Sequence, residues 1–358
     1  MNKVLVVGAL GVVGRAAMER FSGRGDLTAV GLARREPDFA PDAVWVSADL
    51  RDAHATARAL APHRDVTHVV YAALNEQPDL VRGWRDPANV ALNTQMLRHT
   101  LQALRGAPLE HVTLLQGTKA YGVHTGRPMR VPAREHDAVR DHSNFYFEQE
   151  DLVAQMAREA GFRWTILRPQ IVLGVALGSA MNPVATLAAY ALLSREARQP
   201  LRFPGHPHLL TECTDARLIA AAVEWAWREP RAHGEAFNIA NGDVIVWETF
   251  FPRLAREFGM ELGEPTAVRL ADEMPRHAAL WQGIAAREQL RVADLQTLIG
   301  LSWQYADATW ASRRPFPVPP LVSTIKARQF GFVDCIDTQE CIVQHIEAMR
   351  AQGYLPKH

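Results

Sequence analysis

The chain has 358 residues, 48% of them hydrophobic and 22% charged, with 39 basic and 39 acidic side chains and a formal net charge of zero. That length suggests two domains, and the balanced charge argues against a nucleic-acid-binding or membrane-surface protein. Cys213, Cys335 and Cys341 form neither a CxxC pair nor a disulfide framework, the histidines show no metal-binding spacing, and no apolar run approaches a bilayer span, so a metal-free enzyme of the cytoplasm is expected.

Residues 3–8, Lys-Val-Leu-Val-Val-Gly, read as a short buried strand closed by glycine. Apolar residues at helical spacing over 12–21 follow, stopped by Gly23 and Gly25. Strands are expected at 27–32, 43–46, 68–73, 111–115 and 163–167, with helices at 88–104 and 146–159. This alternation implies βαβ units and an α/β fold: a Rossmann-type doubly wound parallel sheet with its connecting loops along one edge. After Pro169 come the breakers Gly174, Gly178, Pro183, Pro204, Gly205 and Pro207, then a helix at 215–227 and a strand at 236–239. The tail from about 246 reads as two or three helices and a proline-rich linker at 315–320. A dinucleotide-binding domain of residues 1–170, rejoined by 208–245, is therefore expected. Residues 171–207 and 246–358 would form a smaller, mostly helical substrate domain over the sheet's carboxyl edge.

Gly8-Ala-Leu-Gly11-Val-Val-Gly14 directly follows the first strand and opens a helix. Its glycines allow a tight turn and close backbone approach, and the helix N-terminus would face a pyrophosphate. Where an NAD-binding domain would end its second strand in an acid, this chain reads Gly31-Leu-Ala-Arg34-Arg35, with Glu36 only after both arginines. Two guanidiniums there suit a 2′-phosphate, so NADPH/NADP⁺ is the expected cofactor. Asp49, followed by Leu50, is placed either to bind the adenine amino group or to cap the next helix.

Short-chain dehydrogenases usually carry Tyr-x-x-x-Lys on one helix. Here Asn144-Phe-Tyr146-Phe-Glu-Gln-Glu150 puts a carboxylate four residues after the tyrosine, which would oppose its ionisation. A lysine occurs instead after the fifth strand, in Leu114-Leu-Gln-Gly117-Thr118-Lys119-Ala-Tyr121-Gly122. In a chain that strongly favours arginine, a lysine at a strand's carboxyl end is a candidate site residue, a compact charge with an adjustable pKa. Tyr121, beside it, is the rival hydroxyl to Tyr146.

These separated motifs resemble the progesterone 5β-reductase/iridoid synthase-like family of atypical extended short-chain dehydrogenases/reductases. The resemblance also covers residues 168–174, Ser179-Ala-Met181-Asn182, Phe203-Pro-Gly205 and Glu235-Ala-Phe-Asn238 with Trp247 following, about the whole chain. It implies Tyr146 and Lys119 as the catalytic pair, NADPH as hydride donor and an enone or enal as the small-molecule acceptor, reduced at its C=C bond. The chain departs from the family pattern at Phe147, where relatives often have a second tyrosine, and at Ala120, where many have histidine. The cofactor-binding set then comprises Gly8, Leu10, Gly11, Val12, Val13, Gly14, Arg34, Arg35, Asp49, Leu50, Ala72, Thr118, Lys119, Tyr146, Pro169, Ile171 and Val172. Tyr121, Met181 and Asn182 are expected to line the substrate pocket, with Tyr190 a further candidate. A homodimer through the helices at 88–104 and 146–159 is expected by analogy with extended relatives. Two other readings stay open: an enzyme acting on a carbonyl or a sugar nucleotide, and a non-catalytic NADP(H)-sensing protein.

Overall fold

The computed structural model describes residues 1–39, 43–205, 208–310 and 319–357; Pro207 and the first part of the proline-rich stretch at 315–320 lie outside them. In chain order the elements are β1 (Asn2–Val7), α1 (Val12–Phe21), β2 (Leu27–Ala33), β3 (Val44–Ser47), α2 (Ala53–Leu60), β4 (His68–Tyr71), α3 (Leu80–Gly83), α4 (Pro87–Ala103), β5 (His111–Leu115), α5 (Phe145–Ala160), β6 (Arg163–Pro169) and β7 (Ile171–Leu173). Then come α6 (Pro183–Glu196), β8 (Leu210–Thr211), β9 (Cys213–Asp215), α7 (Ala216–Arg228), β10 (Glu235–Ile239), β11 (Ile245–Val246) and α8 (Trp247–Glu257). The chain closes with α9 (Leu270–Glu273), α10 (Ala278–Arg287), α11 (Leu295–Ile299), α12 (Ser302–Thr309), α13 (Ile325–Gln329) and α14 (Thr338–Ala351).

Two compact units result. The first comprises Met1–Gln170, Ala216–Ile239 and Val322–Asp334. It is built on a seven-stranded sheet in the order β10-β6-β5-β4-β1-β2-β3, every neighbouring pair parallel. Central strands covered on both faces read as continuous apolar runs, and Val4, Leu5, Val6 and Val7 are all fully buried. Parallel pairing brings the carboxyl ends of β1, β2, β4, β5 and β6 to one edge; the glycine turn, Arg34, Glu76 and Lys119 follow the first four in sequence, and Pro169 ends β6.

The second unit comprises Ile171–Asp215, Ala240–Leu321 and Cys335–His358. Its core gathers Leu187, Leu192, Trp247, Phe250, Trp281, Trp310, Ile342 and Ile346. α6 crosses the stretch read from sequence only as breakers. Eleven of its residues, Pro183 to Leu193, are buried without interruption, so it has no polar face to betray a period. From residue 246 the described residues hold seven helices, α8 to α14, where two or three are expected. α9, α11 and α13 have only 4 or 5 residues, too few for periodicity to register.

Candidate active site

β1 runs into Gly8 at φ +83°, where an added Cβ would lie 2.7 Å from the Ala73 backbone nitrogen. Only glycine fits that conformation and that approach. Gly14, in the first turn of α1, is equally constrained: a Cβ there would sit 2.1 Å from the Gly8 carbonyl oxygen. The Gly8 and Ala9 N–H groups donate to the Leu32 carbonyl at 3.0 and 3.1 Å, fastening the turn to the end of β2. Gly11 is the N-cap of α1; no side chain satisfies the helix's first N–H groups, and no acid lies in its first turn. Such a terminus offers free donors and partial positive charge to a phosphate. Leu10 and Val12 are buried and Val13 half-buried behind it, and the Ala72 N–H donates to the Val7 carbonyl at 2.9 Å.

β2 ends at Ala33 and is followed by Arg34 and Arg35, both exposed. The Arg51 guanidinium grips Asp49 at 2.6 Å and holds its carboxyl below the usual range, with a smaller contribution from Arg34. The cap of α2 is Asp52, which accepts from the Ala55 N–H, so the helix-cap reading of Asp49 is corrected. Leu50 is buried, and its carbonyl is bonded to the His99 ring at 2.8 Å. The turn, the uncapped helix and the arginines suit a nicotinamide dinucleotide.

β5 leads through Gly117 into a 3-10 turn, Thr118–Tyr121, which carries Lys119. α5 starts at the N-cap Asn144, placing Tyr146 in its first turn. The two elements meet. A Cβ at Gly117 would lie 3.3 Å from both the Tyr146 hydroxyl oxygen and the Pro169 carbonyl oxygen, which locates that hydroxyl above the ends of β5 and β6. Lys119 Nζ lies 5.8 Å from the centre of the Tyr146 ring and 4.3 Å from that of Trp84. Lys119 is buried and its Nζ has no hydrogen-bond partner among the described residues; burial pulls its pKa down, and the charge of Glu76 opposes this.

A polar network backs the pair. Asn144 Nδ2 donates to the Lys119 carbonyl at 3.1 Å, and Asn144 Oδ1 accepts from the Tyr146 N–H at 3.1 Å. Gln116 Nε2 donates to the Tyr146 carbonyl at 2.9 Å, while Gln116 Oε1 accepts from Arg168 Nε at 2.9 Å. Glu150 lies 3.2 Å from Arg140 and 3.4 Å from Arg168. Two guanidiniums meet the charge that the sequence places four residues after Tyr146.

Residues 4–240 match the model of the NAD dependent epimerase/dehydratase family. The (S)-8-oxocitronellyl enol synthase of Antirrhinum majus is 31% identical over 376 residues, covering 98% of this chain and 92% of that protein. The 3-oxo-Delta(4,5)-steroid 5-beta-reductase of Arabidopsis thaliana is 30% identical over 373 residues, with 98% and 92% covered. The chain belongs to the progesterone 5β-reductase/iridoid synthase-like branch of the epimerase/dehydratase family. Among solved structures, a UDP-glucose 4-epimerase from Thermotoga maritima shares the fold with a TM-score of 0.67 at 15% identity, over 97% of this chain and 99% of that one. The chain is thus an oxidoreductase of the extended short-chain type.

The remaining expected residues of this family member fall as follows. Tyr121 is buried and its hydroxyl donates to Asn238 Oδ1, tying the 3-10 turn to β10. Thr118 is half-buried beside Lys119, and Pro169 ends β6. Ile171 and Val172, on β7, and Met181, Asn182 and Tyr190 belong to the second unit. Asn182 is the N-cap of α6, accepting from the Val184 N–H at 3.2 Å and donating to the Ala176 carbonyl at 3.4 Å. Sequence reasoning gave no site role to Glu76, Trp84, Gln116, Asn144 or Arg168, although the last three lie in the stretches that carry the family resemblance. An asparagine just before a helical stretch is a cap signal, and an acid soon after a strand at the carboxyl edge could have flagged Glu76. Trp84 has no local signature.

Proposed function

We propose that this oxidoreductase catalyses the NADPH-dependent 1,4-reduction of α,β-unsaturated ketones or aldehydes. The observation that carries the reading is the convergence of Lys119 and Tyr146 from two separate elements, with Nζ 5.8 Å from the ring centre, in a chain lacking Tyr-x-x-x-Lys. Full-length similarity to an enol synthase and a steroid 5-beta-reductase supports it. The exposed Arg34–Arg35 pair and the absence of an acid at the end of β2 support NADPH over NADH.

Gly8, Gly11 and Gly14 with the first turn of α1 would hold the pyrophosphate, and Arg34 and Arg35 the 2′-phosphate. Bound NADPH would supply the hydride that the alkene β-carbon receives. Negative charge then gathers on the carbonyl oxygen. The Tyr146 hydroxyl donates a hydrogen bond to that oxygen, and the Lys119 ammonium stabilises the enolate, an effect worth roughly 3–4 kcal/mol per well-aimed donor. Water can then protonate the α-carbon, completing addition of one hydride and one proton across the C=C bond.

NADPH absorbance, followed with cyclohexenone and progesterone as probes, tests this. The expected outcome is a saturated ketone and loss of NADPH, both slowed about 100-fold or more in Tyr146→Phe and Lys119→Ala. Unchanged turnover in both variants would sink the residue assignment. Tight NADPH binding without reduction of any enone would favour the sensing role. No helix among the described residues is long and apolar enough to cross a membrane. A cytoplasmic homodimer through α4 and α5 completes the proposal, with solution mass as its measurement.

A further inference from the structure

Glu76 lies in the loop between β4 and α3, and its neighbours on both sides are anchored. The Asn75 N–H donates to Asn93 Oδ1 at 2.8 Å, and Asn75 Nδ2 donates to Asn89 Oδ1 at 2.8 Å. Gln77 Nε2 donates to the Asp86 carboxylate, and an added Cβ at Gly83 would lie 2.9 Å from Gln77 Cβ. Between these fixed points, both carboxyl oxygens of Glu76 are buried without a hydrogen-bond partner among the described residues. The Trp84 indole nitrogen is buried without a partner too, although it bears on the Glu76 carboxyl beyond ordinary hydrogen-bond geometry.

An unpaired buried carboxyl is strongly disfavoured, and so is an unpaired buried ammonium. Lys119 is that ammonium, its Nζ over the face of the same Trp84 ring. The relation is reciprocal. Glu76 is the charge that opposes burial at Lys119, and Lys119 is the charge that opposes burial at Glu76. The other groups around them are poorly suited to that role. Tyr146, from α5, presents its ring to Nζ. His124, in the 3-10 turn after Gly122, is pushed down to about 3 by burial, then by Lys119, His142 and Arg85, so it stays neutral near pH 7. His142 packs edge-on against His124 at 5.0 Å, and Arg85 donates to the His124 carbonyl.

We infer that Glu76 is a positioning residue of this active site: its carboxylate is the buried counter-charge that keeps the Lys119 ammonium protonated and directed at Tyr146. This rests on reading Lys119 as catalytic, and the test separates the two. The chain has four lysines, Lys3, Lys119, Lys326 and Lys357, so lysine labelled with ¹³C at Cε gives few signals, and Lys119→Arg assigns the relevant one. In cofactor-free protein, Glu76→Gln should lower the Lys119 titration midpoint by roughly one to three pH units. Glu76→Asp, which retains the charge one methylene further back, should fall between Glu76→Gln and wild type. In turnover, the alkaline limb of the kcat profile should move to lower pH in Glu76→Gln, with KM for the enone little changed. Coincident Lys119 titrations in wild type and Glu76→Gln would overturn the pairing, as would a kcat loss equal at every pH. A shifted titration with turnover indifferent to Lys119→Ala would uphold the pairing and remove the catalytic role of Lys119.

Discussion

Lys119 and Tyr146 are fastened by one side chain: Asn144 donates to the carbonyl of the first and accepts from the backbone N–H of the second, each over 3.1 Å. The lysine comes from the turn after β5 and the tyrosine from the start of α5, 27 positions later in the chain (146 − 119). Their separation in space therefore depends on this buried amide as well as on the packing of the two elements.

Asn144→Ala removes the helix cap and takes away one of the two donors to the Lys119 carbonyl, leaving the Gly122 N–H at 3.1 Å. A loss of about 1–2 kcal/mol in urea unfolding is expected, together with a fall in kcat larger than any change in KM. Asn144→Asp keeps the cap acceptor but cannot donate to the carbonyl. It should recover stability more than turnover. Equal recovery of both would mean that the bond to Lys119 has no catalytic consequence.

Gly14→Ala puts a methyl group where the Gly8 carbonyl oxygen lies 2.1 Å away. Either the turn or α1 must move, at a cost of at least about 1–3 kcal/mol. A lower melting temperature and weaker NADPH binding are expected together, by thermal shift and calorimetry. Wild-type affinity in a folded Gly14→Ala protein would argue against pyrophosphate binding at this turn.

If Arg34 and Arg35 hold a 2′-phosphate, replacing both with alanine should weaken NADPH binding roughly 10- to 100-fold, the scale of one or two lost charge-assisted hydrogen bonds. NADH binding should hardly change. Equal losses for the two cofactors, measured by calorimetry, would assign the arginines to general electrostatics.

Burial pushes His111 down to about 3, with smaller contributions from His233 and His68. An unfolded histidine titrates near 6.5. The folded state therefore binds fewer protons between those values. Its stabilising contribution is complete above about pH 6.5 and is lost progressively as pH falls towards 3. Chemical denaturation at pH 7 and pH 5 should show a steeper acid-side loss in wild type than in His111→Gln. Parallel pH profiles would show that the histidine titrates similarly in both states.

Much of this protein is legible before folding is considered. The run Val4 to Val7, the glycines at 8, 11 and 14 and the arginines after β2 lie within one βαβ unit, where spacing carries the meaning. α1 (Val12–Phe21) and β5 (His111–Leu115) match their sequence-read bounds because glycines or breakers close them against a clear apolar pattern. α6 was hidden for the opposite reason: a helix buried on every side has no amphipathic face. The start of α2 was misplaced at Asp49, whose carboxylate accepts from the Arg51 N–H while Asp52 caps the helix three residues later.

Local chemistry thus determined the phosphate turn, the strand–helix alternation and the presence of a lysine after β5. Only the tertiary structure decided what those residues face. Parallel pairing of β4, β5 and β6 brings the loops carrying Glu76 and Lys119, and the start of α5, to one edge of the sheet. In the sequence Tyr121, beside Lys119, and Tyr146, 27 positions after that lysine, are rival hydroxyls. Their environments divide them: the first is bonded to Asn238, more than a hundred residues away, while the second lies over Gly117. Such pairings depend on burial and on long-range contacts, for which adjacent residue types contain no local signal.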